Sequence, residues 1–218
     1  MIDQRVVDDV TVLCMTAGEN RFNLPFVEAM TAAVDEAAGR AKPLVITAEG
    51  KFFSNGLDLE WLQGDQGRAE AMFPALYRLL GKILTFPGAT AAAINGHAFG
   101  AGLILSAVAD WRVMRADRGY FCFPEVDLGM AMSDEFDAVI KAKLPAEALL
   151  HALVTGHRYG GDEAVEAGLV HRTAGEEELL DTALGMVRDL AAKDGEAIGR
   201  IKAKHFERVI EILCPDGL

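Results

Sequence analysis

Cysteine, cationic charge and long apolar runs are all scarce in this chain of 218 residues. The three cysteines, Cys14, Cys122 and Cys214, are widely spaced and odd in number, with no CxxC pair. That pattern argues against a disulfide framework or a cysteine zinc site, and it predicts two buried thiols and a third near a loose C-terminus. The five histidines show no HExxH spacing, so no metal centre is expected. Lysine and arginine number 21 against 33 acidic residues, a formal net charge of −12, which makes nucleic acid an unexpected partner. The densest basic run is Arg200, Lys202, Lys204, His205 and Arg208, and it reads as a solvated helix face. No uncharged apolar stretch reaches the roughly 18 residues of a membrane span. The first ten residues carry Asp3, Arg5, Asp8 and Asp9 where a secretory leader is basic and then apolar. The expectation is a cytoplasmic protein with no membrane partner.

What the chain does have is apolar side chain, 51% of its residues, enough for one sizeable core. Val6 to Cys14 reads as a strand hairpin turning at Asp8-Asp9. Leu24 to Gly39 spaces Phe26, Val27, Met30, Ala33, Val34 and Ala37 as a helix does. Pro43 to Ala48 and Thr90 to Asn95 are short apolar runs bounded by Pro or Gly, hence buried strands, with a helix from Ala69 to Phe86 between them. A loop through Phe53 to Gly56 follows the first of these strands, and a glycine-rich turn from Gly96 to Gly102 follows the second. A helix from Leu103 to Ala109 and strands at Trp111–Met114 and Tyr120–Phe123 come next. Alternating strands and helices predict an α/β layer with parallel strands. Past about residue 135 the strand signals fade. Helices are expected at Phe136–Ala142, Ala146–Thr155, Gly161–Ala167, Glu176–Lys193 and Ala197–Leu213. The division expected is a mixed core over residues 1–140 and a helical region over 141–218.

Chemistry concentrates in the two glycine-containing turns. Gly50 to Leu59 includes Phe53-Ser54-Asn55-Gly56-Leu57-Asp58-Leu59, and Ile94 to Leu103 includes Asn95-Gly96-His97-Ala98-Phe99-Gly100-Ala101-Gly102. The second turn runs straight into a helix, so the amides of Ala101 and Gly102 stand at a helix N-terminus, where unpaired N–H groups and the helix dipole favour negative charge. Two amides from two such turns can converge on one carbonyl oxygen and stabilise an enolate. Neither turn has P-loop or GxGxxG order.

Taken together, four segments in order resemble the enoyl-CoA hydratase/isomerase (crotonase) family over nearly the whole chain. Asn20-Arg21-Phe22-Asn23 resembles its N-A-L-N segment, and Phe53 to Leu59 resembles F-S-A-G-x-D-L. Ile94 to Gly102 resembles I-N-G-x-A-x-G-G-G, and Thr155-Gly156 with Ala164 to Val170 resembles its T-G helix pair. Gly50–Leu59 and Pro124–Gly129 look especially like Δ3,Δ2-enoyl-CoA isomerases. The resemblance implies a spiral of ββα units with a helical C-terminal region, assembled as a homotrimer or a dimer of trimers. It implies an acyl-CoA thioester as substrate, with coenzyme A entering only as part of that substrate and no other cofactor. It implies that the amides of Leu57 and Ala101 form the oxyanion hole, with Ser54, Asn55, Gly56, Asp58 and Gly100 beside the bound thioester. Arg21 and Lys51 flank loops near the ligand and are the candidates for the CoA tail. Leu62, Phe73 and Leu76 are candidates for the acyl groove, with core packing as the default.

Hydratases of this family use two glutamates. The resemblance places the first at Ile104, where no acid stands, and the second at Glu125. Moving a double bond from the 3 to the 2 position needs a single shuttle, since one carboxylate removes the C2 proton and returns it at C4. The isomerase reading therefore leads, with Glu125 as acid and base and its pKa raised by Phe123, Met130 and Ile104. Asp127, Asp134 and Glu135 are rival acids. Asp58 suits a helix cap, and His97 a structural role. Hydration, thioester hydrolysis, or acyl-CoA binding without turnover are the alternatives.

Overall fold

The computed structural model describes residues 1–218, the side chain of Gln66 excepted. The chain opens with the hairpin β1 (Ile2–Val7) and β2 (Val10–Met15), in register from Ile2 opposite Met15 to Val7 opposite Val10. Asp8 and Asp9 both take positive φ, 49° and 63°. That is the backbone of a two-residue turn whose twist matches paired strands, and aspartate tolerates it. Strands β3 (Leu44–Ala48), β5 (Thr90–Ile94), β7 (Trp111–Arg115) and β9 (Arg172–Ala174) extend β2 in parallel. The sheet order is β1-β2-β3-β5-β7-β9.

Both faces of this sheet are covered, so its central strands β3 and β5 are buried at every position rather than at alternate ones. Leu13, Ile46, Ala92, Ile94 and Met114 face the main core, with α1 (Leu24–Ala38) and α3 (Gln66–Leu84). Val12, Val45, Ala91, Ala93 and Val113 face α8 (Leu179–Val187), which contributes Leu179, Ala183, Leu184 and Val187.

A second sheet runs β4-β6-β8, all parallel: β4 (Phe52–Ser54), β6 (His97–Phe99) and β8 (Phe121–Cys122). Each follows a strand of the large sheet and leads toward helix: α2 (Leu59–Gln63) and α3 after β4, α4 (Ala101–Val108) after β6, α5 (Asp134–Lys143) after β8. This is the ββα repetition the resemblance implied. Helices α6 (Ala146–Thr155), α7 (Gly161–Glu166), α9 (Gly195–His205) and α10 (Glu207–Leu213) complete the chain. No described helix is long and apolar enough to cross a membrane.

Several elements differ from expectation. β4 and β6 stand where a loop and a turn were expected, since strands of three residues are too short to show alternation. β9 adds a strand well past residue 135, a short edge segment with little apolar signal. The helix expected over Glu176–Lys193 starts only at Leu179 and gives way at Arg188 to a 3₁₀ turn (Arg188–Ala192), and that over Ala197–Leu213 breaks at Phe206. Lys202 is not solvated but 8% exposed, its Nζ 2.6 Å from Asp110 Oδ2 and donating to the Gly88 carbonyl at 2.8 Å. Cys214 is buried near Gly81, while Cys14 is only half-buried.

Candidate active site

The two glycine turns are pressed together by backbone. Asn20, buried with φ +49°, anchors the first of them. Its side-chain oxygen accepts from the Ala17 N–H at 2.9 Å and its amide donates to the Phe53 carbonyl at 3.1 Å. Its own carbonyl accepts the Ser54 hydroxyl at 2.7 Å, and Ser54 Oγ accepts the Gly56 N–H at 3.2 Å. Phe22 then grips both sides of Leu57: its N–H donates to Gly56 O at 2.8 Å, and its carbonyl accepts from Asp58 N at 3.0 Å. The Leu57 N–H between them donates to no described residue.

At the second turn, Gly100 takes φ 49°, ψ −120°, and α4 starts at Ala101. Ala101 is not among the positive-φ residues, so alanine costs nothing there. Its N–H heads the helix without an acceptor among the described residues. A Cβ on Gly56 would stand 2.8 Å from Phe99 O and 3.5 Å from Ala101 N, and one on Gly102 would stand 2.5 Å from Ser54 O. Contacts that short are open only to glycine, and they bring the two free amides to one pocket.

Glu125 enters that pocket from the loop after β8. A Cβ on Gly100 would lie 3.0 Å from its Oε1. Its carbonyl accepts from Leu128 N and Met130 N, which folds the loop back over the site. Glu125 Oε2 is buried with no hydrogen-bond partner among the described residues. Burial pushes this carboxyl above the ordinary range, against a smaller opposing backbone hydrogen bond. The pocket, about 60 Å³, is lined by Asn55, Gly56, Leu57, Leu59, Phe99, Gly100, Ala101, Pro124, Glu125, Leu128 and Met130. Leu128 and Met130 are 55% and 43% exposed and form an open apolar wall.

Not every expected residue gathers here. Ser54 is fully buried, spends its hydroxyl on Asn20 and Gly56, and does not line the pocket. Asp58 caps α2 through the Trp61 N–H at 3.2 Å and accepts from Asn23 Nδ2 at 3.0 Å, and it does not line the pocket. Arg21 pairs with Glu19 at 2.6 Å in one neighbouring depression, and Lys51 lies over the Phe52 ring at 5.3 Å in another. Phe123 and Ile104 are core residues outside the lining, while Met130 does line it. Leu76 is core; Leu62 and Phe73 are half-buried and outside the lining. Asp134 and Glu135 head α5 behind the Ser133 cap and lie outside the lining, as does Asp127. His97 packs on Phe52, Phe99 and Tyr120. Burial, then Lys51, Arg118 and Arg158, depress its pKa. The anchoring role of Asn20 was not read from the sequence, where its place at the head of the N-A-L-N-like segment was the signal.

A larger cavity, about 470 Å³, sits at the carboxyl ends of β2, β3, β5 and β7, lined by residues that include Arg5, Cys14, Glu49, Asn95 and Arg115. Arg115 there is engaged by Asp117 at 2.7 Å and Glu176 at 2.8 Å. Only the smaller pocket combines free amides with a partnerless carboxylate.

The family profile described as Enoyl-CoA hydratase/isomerase matches residues 10–212. The chain is 35% identical to the peroxisomal enoyl-CoA delta isomerase 2 of Arabidopsis thaliana, over 94% of this chain and 92% of that one. It is similar to the apo structure of an enoyl-CoA isomerase from Mycobacterium tuberculosis, with a TM-score of 0.88 and 25% identity, covering 97% of this chain and 93% of that one. The fold also matches an enoyl-CoA hydratase/isomerase family protein from Pseudomonas syringae at a TM-score of 0.91 and 22% identity, covering 97% of this chain and 93% of that one.

Proposed function

The chain belongs to the enoyl-CoA hydratase/isomerase family, and from that premise we propose that it is an enoyl-CoA isomerase moving a double bond from the 3 to the 2 position of an acyl-CoA. The observation that carries this reading is the lone, buried, partnerless carboxylate of Glu125 beside two unoccupied amides. The thioester oxygen accepts from the Leu57 and Ala101 N–H groups. Ionised Glu125 takes a proton from C2, negative charge moves onto that oxygen as the dienolate forms, and the protonated acid returns the proton at C4. Preorganised donors and a low-dielectric setting are what such an anion needs. A second acid for activating water has no seat in this arrangement, since Ile104 is core. The acyl chain leaves the small pocket along Leu128 and Met130.

Purified protein given a 3-enoyl-CoA is expected to yield the trans-2-enoyl product and to hydrate that product poorly, followed by mass spectrometry and chromatography. Efficient 3-hydroxyacyl-CoA formation without isomerisation overturns the reading. For assembly we propose a trimer or a dimer of trimers through the C-terminal helices. Leu150, Val154 and Ile201 stand out from α6 and α9 as exposed aliphatic side chains, the kind of surface a partner copy covers. Light scattering showing only monomer at micromolar concentration overturns that part alone.

A further inference from the structure

Residues 19–22 run alongside the loop of residues 55–58, and between them the two segments take up the loop's amides in turn. The Asn55 N–H donates to the Glu19 carbonyl at 2.9 Å, the Gly56 N–H to Ser54 Oγ at 3.2 Å, and the Asp58 N–H to the Phe22 carbonyl at 3.0 Å. Leu57 is passed over. Its N–H alone in this stretch has no acceptor among the described residues, and Leu57 lines the pocket. A donor left free between neighbours that are tied down is preorganised for a ligand oxygen.

Asn20 sets the two segments against each other. It is fully buried, and both polar groups of its side chain are engaged. Oδ1 accepts from the Ala17 N–H at 2.9 Å, while Nδ2 donates to the Phe53 carbonyl at 3.1 Å and to the Phe52 carbonyl at 3.4 Å. Its own carbonyl accepts the hydroxyl of Ser54, whose oxygen in turn holds the Gly56 N–H. The φ of 49° at Asn20 is one that asparagine tolerates better than most residues with a side chain. Aspartate shares that tolerance, but its carboxylate has no donor for two carbonyls. Neither Asn20 nor Ser54 lines the pocket. We propose that Asn20 is the positioning residue for the Leu57 amide, fixing where that donor points without touching the substrate. The donor's use on a thioester oxygen rests on the reading of the pocket given above; the hydrogen bonds that place it do not.

Butyryl-CoA, saturated and so unable to isomerise, serves as the probe, isotope-labelled at its thioester carbonyl and followed by infrared difference spectroscopy. On the intact protein, donors at that oxygen should lower its stretching frequency. Asn20→Gly keeps the left-handed backbone accessible and removes every side-chain contact. The folded variant should still bind butyryl-CoA, with much of that lowering lost. With a 3-enoyl-CoA its kcat should fall about 10²-fold, the cost of a group misplaced by about an ångström, while KM changes little. Ser54→Ala breaks only the link to Gly56 and should show the same pattern in weaker form, and it carries the test if Asn20→Gly does not fold. A merely structural residue would lower the melting temperature and leave kcat and the carbonyl band of the folded protein as they were. That result, or a loss confined to KM, overturns the proposal. A band that is not lowered in the natural chain removes the amide donor itself and both readings with it, whereas a lowered band that the variants leave unaltered counts against Asn20 alone.

Discussion

Glu125 and Asp110 are both carboxylates taken largely out of water, and the protein treats them in opposite ways. Asp110 is tied through Oδ2, which accepts from the Thr90 N–H and from Lys202, and its own N–H donates to Thr90 Oγ1 at 2.9 Å. Glu125 is given nothing for Oε2. An ionised group in a dry site is costly unless it is compensated. The compensation around Asp110 knits β5, β7 and α9 together. Its absence at Glu125 leaves a carboxyl whose pKa is raised by burial. Compensated charge marks the structural acid, and its lack marks the one proposed here as reactive.

The largest expected effect that tests this contrast is on turnover. Glu125→Gln keeps size and polarity but cannot accept a proton, so kcat should fall by about 10²- to 10⁴-fold. Binding of a saturated acyl-CoA should hold, and the melting temperature should not fall. If Glu135→Gln or Asp134→Asn is the inactive variant and Glu125→Gln is not, the base lies on α5. Removing the other acid should do the reverse. Asp110→Ala strands Lys202 and should cost about 3–5 kcal/mol of stability in urea unfolding, with near-normal kcat in the protein that remains folded. A large loss of kcat without loss of stability would erase the distinction between the two acids.

Next in size is the partner amide. Ala101→Pro removes one donor at the helix N-terminus and should lower kcat by about 10²- to 10³-fold, with the fold checked by circular dichroism. Normal turnover in the folded variant moves the oxyanion site elsewhere. The smallest effect is one of linkage. The folded-state pKa of Glu125 is raised, so its protonated form favours the fold: that stability is fully present below the unfolded carboxylate pKa and is lost as pH rises through the raised one. Glu125→Gln should therefore be modestly more stable than the natural chain at neutral pH, and the two should converge in acid. Denaturation curves that keep the same gap at every pH would contradict the raised value.

Much of this was legible in the residues themselves. The Asp8-Asp9 hairpin, the apolar runs of β3 and β5, and the two glycine turns each carry a local rule that the fold obeys. The Ala101 amide was legible from the glycine turn that runs into a helix, whereas Glu125 was legible only through motif resemblance, since a carboxylate after a proline has no local signature of burial. Ser54 misled because its neighbours in the motif face the pocket while it turns inward to Asn20. Lys202 misled because the basic run of α9 gives no hint of Asp110, which lies 92 positions earlier in the chain. Two strands of the small sheet, β4 and β6, were invisible because strands of three residues owe their existence to pairing partners supplied by distant segments.

The way the two turns meet has a consequence for inheritance. The proposed grip on the substrate is made by peptide groups, and its spacing is set by the absence of side chains at Gly56 and Gly102. Selection can thus see conformation at positions 57 and 101 while remaining nearly blind to which amino acid stands there. The alanine at 101, where the resembling motif has glycine, presents the same amide. On the proposed reading, other acyl groups can be explored by changing Leu128 or Met130 on the open wall, leaving the amide grip untouched.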